Sequence, residues 1–209
     1  MLKHIHTEIT REALSGRFSP RALEIIVASN FRQDALSGQI GHDEYHFDNN
    51  AMDASYRYIN EQRGYVLASP LLLDNSSGWP AFGRLIHTAQ DFYAHTNYVS
   101  LWLSHYKDTT PPPPPEIDPV EKSLVHSPDL HSGKLYYPLG VLYFIPAFRK
   151  LTMSILPRDS HAWMNLDSPE CNLQFEYARA AAVKRTQHEL DILEKLLPPE
   201  MFNRFTDTF

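Results

Sequence analysis

His87, Asp91 and His95 recur every fourth residue in the run Leu85-Ile86-His87-Thr88-Ala89-Gln90-Asp91-Phe92-Tyr93-Ala94-His95-Thr96-Asn97. On an α-helix each four-residue step turns the side chain by only about 40°, so the three stack along one face. Neutral imidazole and carboxylate are ligands for zinc and similar transition ions. Two helical turns exceed one coordination sphere. A pair of ions, with Asp91 bridging or lying between them, suits the spacing better than one ion. A His and an Asp four apart also form plain hydrogen-bonded pairs on polar helix faces, so this run alone does not decide the matter.

Further clusters do more. Eleven histidines in 209 residues gather beside acids and amides. His4 and His6 open the chain, His42-Asp43-Glu44-Tyr45-His46-Phe47-Asp48-Asn49 follows, and His161-Ala162-Trp163-Met164-Asn165-Leu166-Asp167 comes late. Acids near a helix start are often just solvated groups at the positive dipole end, but Tyr45 and Phe47 indicate partial burial. Taken singly, Asp34 reads as a cap or turn residue, His6 as a residue of a helix start, and His161 as part of a capped helix entrance. Rival chemistries lack their motifs: there is no GxGxxG, no GxxxxGK[ST] and no GxSxG. The single cysteine, Cys171, rules out a disulfide framework within the chain and a cysteine zinc site, and its neighbours give no sign of an activated thiol.

The elements that must position these residues read as helices. Ile5–Leu14 places Ile9, Ala13 and Leu14 on one side, with Gly16 as terminator. Ser19-Pro20 supplies an N-cap and a first helical residue for a helix through Leu23, Ile26 and Val27 to Asn30. Asp34, Gly38 and Gly41 suggest a loop. His46–Arg63 has helical spacing and ends at Gly64; Trp79–Leu103 reads as one long helix burying Phe82, Leu85, Ile86, Ala89, Phe92, Tyr93 and Val99. Pro111–Pro115 cannot be helical, and residues 107–132 read as an exposed, irregular loop. Leu135–Phe148 is apolar and interrupted by prolines. Phe175–Leu197 is a final amphipathic helix stopped by Pro198-Pro199. No period-two strand pattern persists. The expected fold is all-α, a single domain over residues 1–209 built as a bundle of five to seven helices.

A net charge of −6 gives no reason for tight binding to nucleic acid, and bound divalent cations would offset part of it. The opening residues are too polar for a secretory signal, and no apolar run would span a bilayer. The expected compartment is the cytoplasm, with export by a signal-free route left open.

The run HTAQDFYAHTNYV from His87 to Val99 resembles the signature of HET-C-type proteins, a fungal heterokaryon-incompatibility family related to zinc-dependent phospholipases C and single-strand-specific zinc nucleases. His6-Thr7-Glu8-Ile9-Thr10, His46-Phe47-Asp48-Asn49 and Ser160–Pro169 are similar to further blocks of that family, in the same order. The resemblance implies the multi-helix phospholipase C fold and two or three zinc ions. One site would use Asp34, His46, His87 and Asp91; a second would share Asp91 and add His6; a third would use His95, His161 and Asp167, with Glu176 competing for the last place. Asp34 and Asp91 are the catalytic candidates, Asp34 to orient water or accept its proton. The related phospholipases bind metal through a mature N-terminal Trp, whereas this chain opens Met1-Leu2.

The function implied is phosphodiester hydrolysis, with a phospholipid attacked at its head-group side. Leu135–Phe148 reads as a buried, proline-kinked core segment in preference to one that touches a membrane peripherally or lines an acyl groove. A nuclease on the same scaffold would need stacking aromatics, for which Tyr45, Trp79 and Tyr98 are candidates, but the acidic balance opposes it. A reading of another class is a metal-stabilised interaction protein in cell death or incompatibility, acting on a protein partner without turnover. The Pro111–Pro115 loop reads as idle in preference to a docking segment.

Overall fold

The computed structural model describes residues 1–39, 41–71, 75–143, 145, 147–170 and 173–208. Cys171 lies outside the described residues. Eight α-helices of seven residues or more are found among them: α1 (Lys3–Leu14), α2 (Pro20–Arg32), α3 (Met52–Ala68), α4 (Gly78–His95), α5 (Tyr98–Ser104), α6 (Arg149–Ile155), α7 (Phe175–Leu196) and α8 (Pro199–Thr206). Among the described residues there is no strand, only isolated bridges between Thr96 and Ser132 and between Lys134 and Ser160. The all-α expectation holds, with more helices than the five to seven expected.

The helix starts follow local chemistry. Ser19 caps α2, its Oγ accepting the Ala22 amide at 3.1 Å, and Pro20 opens the helix. Ile9, Ala13 and Leu14 are buried as their spacing requires. Around α4 pack α2, α3 and α7, so α4 is the central helix. All its residues but Pro80 and Arg84 are buried, which corrects the expected one-sided stripe. A helix buried all round is wrapped by its neighbours, and its polar groups must then find partners inside the protein.

Glycine sets the approach of α2. A Cβ at Gly83 would stand 2.5 Å from the Ile26 carbonyl oxygen and 2.8 Å from the Ser29 Cβ. Only a bare Cα lets the two helices come this close, and the approach brings Asn30 beside His87.

Several expected boundaries move. The helix expected from His46 begins at Met52 instead. A single turn, Asp43–His46, ends at Phe47 with φ 57°, and Asn49 and Asn50 also have positive φ. This left-handed corner turns Asp48 inward and lets Asn49 and Asn50 bind the Leu135 and Ser132 amides through their side-chain oxygens. Gly64 does not end α3, which continues through it to Ala68. The loop at Asp34–Gly41 contains a helical turn, Leu36–Gln39. The long helix expected from Trp79 to Leu103 breaks after His95: Thr96 is extended, and the Asn97 amide bonds the His131 carbonyl. Pro198-Pro199 both stop α7 and start α8.

Residues 107–132 are not an idle loop. Ile117 and Leu124 are buried in the main core, the Tyr93 hydroxyl donates to the Pro119 carbonyl and the Tyr98 hydroxyl to that of Asp118. The segment is a strap across α4 and α5. Leu135–Phe148 is not a buried core segment either. Tyr143 is buried, but Tyr137, Leu139, Leu142 and Phe148 are exposed; Phe144 and Pro146 lie outside the described residues. No helix of the described residues is long and apolar enough to cross a membrane.

Between α3 and α7, Glu189 is 1% exposed and held by Arg63 at 2.6 Å and Arg185 at 2.8 Å. Burial opposes its ionisation, but the two guanidinium groups outweigh this and keep its carboxyl below the usual range. Removing the charge strands two cations. Glu189→Gln is expected to destabilise the fold by about 3 kcal/mol, read from the denaturant midpoint. A loss of less than about 0.5 kcal/mol would mean the network is no stronger than a surface pair.

Candidate metal centre

The last turns of α4 carry the three residues singled out by spacing, and all are buried: His87 and Asp91 at 0% exposure, His95 at 5%. Other elements bring partners to them. α1 stacks His6 on His87, with ring centroids 4.3 Å apart. Asp34 follows α2. His46 ends the Asp43–His46 turn, and Asp48 stands just beyond the left-handed Phe47. His161 opens a turn running to Met164, with Asp167 three residues after it. Gly133 makes that approach possible, because a Cβ there would lie 2.6 Å from the His161 Cα. Its amide bonds the His95 carbonyl and its carbonyl accepts the Asn49 amide.

The donors form two groups. His6, Asp34, His87 and Asp91 can place ligand atoms within 4.8 Å of one another, and so can Asp48, His95 and His161. His46 stands with the first group, its Nδ1 2.9 Å from Asp91 Oδ2 and 3.2 Å from His87 Nε2. Asp167 stands with the second, Oδ1 at 3.1 Å from His95 Nε2 and Oδ2 at 3.6 Å from His161 Nε2. Glu176, the competitor for that place, points to solvent at the start of α7. The eight residues expected at the site therefore converge, though His6 joins the Asp34 set directly. Asp48 was missed. Its signal was present in its position two residues after His46. The Met1 amino nitrogen also reaches the cluster, 2.6 Å from Asp91 Oδ1 and 3.1 Å from Asp167 Oδ1.

The far side of four of the five rings is fixed by an oxygen. His95 Nδ1 donates to the His46 carbonyl at 2.8 Å, and His46 Nε2 to the Gly38 carbonyl at 3.2 Å. His6 Nδ1 donates to Gln90 Oε1 at 2.6 Å, and His87 Nδ1 faces Asn30 Oδ1 at 3.4 Å. A carbonyl oxygen only accepts, so in the neutral tautomer each proton sits outward and each lone pair faces the carboxylates. Gln90 is held in turn by Asn30, Thr10 and Thr186. Such outer partners are how metal-binding imidazoles are aimed. Gln90 and Asn30 were not singled out from sequence, though Gln90 lies directly before Asp91. His6 Nε2 and Asp34 Oδ2 are buried and make no hydrogen bond, which leaves an imidazole lone pair and a carboxylate oxygen available as metal ligands.

The electrostatics ask for cations. Burial opposes ionisation of Asp91 and Asp167, yet the surrounding positive groups hold both well below the usual carboxylate range. Asp48 is lowered as well, burial being outweighed by His161 and His95. Burial disfavours a charged His161, but Asp48 and Asp167 lift it to about 10. Burial takes His87 the other way, down to about 4, despite Asp91. Protons thus occupy part of a site that divalent ions would fill, and His87 is neutral and ready at neutral pH.

A cavity of about 520 Å³ opens onto the cluster, with Asp34, His46, Asp48, His95, His161 and Asp167 at its base. Leu2, Lys3, Leu135, Tyr137, Tyr143 and Arg149 also line it. Two of the aromatics considered for stacking nucleobases, Trp79 and Tyr98, are buried in the main core instead.

Fold and site together define an all-helical protein with a buried His/Asp cluster able to hold metal ions. The model of the VWA7 N-terminal domain matches residues 2–117, more than half of the chain, and the chain belongs to that family. The match includes His6, Asp34, His46, Asp48, His87, Asp91 and His95 and stops before His161 and Asp167. Comparison with curated proteins and with solved structures gave no match.

Two outcomes are expected. A metal filling the site must displace the proton from His161, so affinity should rise as the pH is raised from about 6 to about 8, with protons released on binding. Calorimetry with zinc as probe in buffers of different ionisation enthalpy measures the release; binding without it would contradict the assignment. Gln90→Leu, which frees the His6 ring, should weaken zinc binding about 10- to 100-fold. Unchanged affinity would remove Gln90 from the aiming of the ring.

Proposed function

We propose that the protein is a zinc-dependent phosphodiester hydrolase that acts, like a phospholipase C, on the head-group side of phospholipids. The observation that carries the reading is the inward aim of four imidazoles at buried carboxylates, each ring fixed from behind by an oxygen acceptor. Structural histidines seldom need such a shell, and ligands do. The all-nitrogen-and-oxygen donor set suits zinc. The HET-C and phospholipase C likeness of His87–Val99 belongs to this proposal, as do an ion count of two or three and the phospholipid substrate.

His6, Asp34, His46, His87 and Asp91 would hold metal on one side, and Asp48, His95, His161 and Asp167 on the other. Zinc bound there would supply Lewis-acid polarisation of a phosphoryl oxygen and lower the pKa of water. The protein's own residues do the rest. Asp34, whose buried Oδ2 is unengaged, accepts the proton of the attacking water. Lys3 and Arg149 on the cavity wall draw in the phosphate and balance its charge. Leu2, Leu135 and Tyr137 offer apolar surface to the glycerol end. Water adds at phosphorus, the bond from phosphorus to the glycerol oxygen breaks, and that oxygen leaves with a proton.

The test is turnover of a soluble chromogenic phosphodiester and of phosphatidylcholine. Chelation should abolish it and zinc restore it. His87→Ala/Asp91→Ala, checked for helical content by circular dichroism, should lose about 1,000-fold or more, and Asp34→Asn about 100-fold. A folded double variant that keeps its rate would overturn catalysis. If it also kept its full biological effect, a non-catalytic interaction protein would stand in place of the hydrolase.

A further inference from the structure

More than half of the exposed large apolar side chains among the described residues fall between Tyr137 and Ile155. Leu151 is 62% exposed, Ile155 58% and Tyr137 58%, with Leu139, Leu142 and Phe148 beside them in sequence. An apolar concentration of this kind marks an interaction site on a globular protein. The segment is also built apart from the main core. Tyr143, Leu156 and Ala162, with Tyr136 and Met153 against them, form a small separate cluster beneath it. The helical turn Leu139–Leu142 and α6 pack on each other. The segment is tied down at its ends, where the His161 amide bonds the Lys134 carbonyl and the Trp163 indole donates to the Met153 and Leu156 carbonyls. Rigid backing with apolar side chains left outside is the opposite of a core element.

Charge identifies the occupant. The chain carries a net −6, yet residues 130–158 contain Lys134, Arg149, Lys150 and Arg158 and no Asp or Glu. Lys134 is engaged by Asp159 at 2.9 Å, whereas Lys150 and Arg158 are exposed, and Arg158 lies over the Trp163 ring. Apolar side chains interleaved with cations on an otherwise acidic protein match an anionic lipid surface. A second copy of this face would bring like charges together and be repelled. The place is informative too: Leu135, Tyr137, Gly140 and Arg149 of the same segment line the wall of the metal-centre cavity.

We infer that the described residues between 135 and 158 are a membrane-docking platform, seating the protein on an anionic phospholipid surface with the cavity mouth turned toward the lipid. Leu151 and Ile155 enter the boundary between head groups and acyl chains, and Lys150 and Arg158 pair with anionic head groups. The inference deepens the phospholipid reading of the site and rests on it for the meaning of the cavity's orientation, while lipid binding itself is measurable without turnover.

The experiment is flotation of the full chain with phosphatidylcholine vesicles, with and without phosphatidylserine, at low and high salt. Soluble-phosphodiester turnover is measured in the same preparations. The chain should float with the anionic vesicles and much less with the neutral ones, and salt should weaken the effect. Leu151→Glu/Ile155→Glu should reduce binding about tenfold or more, and Lys150→Glu about fivefold, with soluble turnover unchanged. Both sites are exposed, so the variants should fold. If the wild type turns over the soluble substrate but never floats, the platform is overturned and the hydrolase stands. If it floats and turns over nothing, the platform stands and the hydrolase falls. A stable dimer broken by Leu151→Glu/Ile155→Glu, with no flotation, would assign the face to a second copy and overturn the inference.

Discussion

A carboxylate with no exposure, in the middle of a helix that is buried nearly all round, must be matched by positive charge or lose its own. Asp91 is that group, and the arrangement of the bundle answers to it. Its Oδ2 meets His46 at 2.9 Å and His87 at 3.1 Å, while its Oδ1 meets His6 at 3.1 Å and the Met1 nitrogen at 2.6 Å. Those partners come from three separate parts of the chain, so α1, α4 and the corner at Phe47 can hold only one relation to each other if Asp91 stays charged. Lone buried charges are too costly to keep, whereas a group of them around metal ions is self-consistent.

The same constraint explains the outer polar network. Gln90, Asn30, Thr10 and Thr186 are all buried and bonded to one another. A core of apolar side chains would fill that space more simply. The polar residues earn their burial by aiming rings: Gln90 and Asn30 fix the outer nitrogens of His6 and His87, and Thr10 and Thr186 hold those amides in place. Gly83 and Gly133 belong to this account as well, because each lets backbone come close enough to carry Asn30 or His161 into place.

Much of the site could be read from the sequence because its chemistry is local. The four-residue repeat at His87, Asp91 and His95 fixes a helix face, and the clusters at His6, His46 and His161 declare themselves by composition. The grouping of ligands could not be read, since it depends on how α1 and α4 stack. Asp48 was passed over because its helical register assumed a continuous helix from His46; three residues with positive φ broke that helix and turned Asp48 inward. The break at Thr96 was hidden likewise, for it is set by contacts with Ser132 and His131, more than thirty residues away in sequence. Composition also misjudged two segments in opposite directions. The strap at 107–132 looked polar and idle, yet it buries Ile117 and Leu124, whereas Leu135–Phe148 looked like core and stands largely outside it. Hydrophobicity says that a residue gains by leaving water, and it does not say which surface will cover it.

The most direct test of the account is the metal content of the protein, purified without a histidine tag, measured by plasma mass spectrometry beside the same measurement on Asp91→Asn. The account expects two or three equivalents of zinc in the wild type and a loss of most of it in the variant. A wild-type protein that is free of metal and takes up none when zinc is added would contradict it.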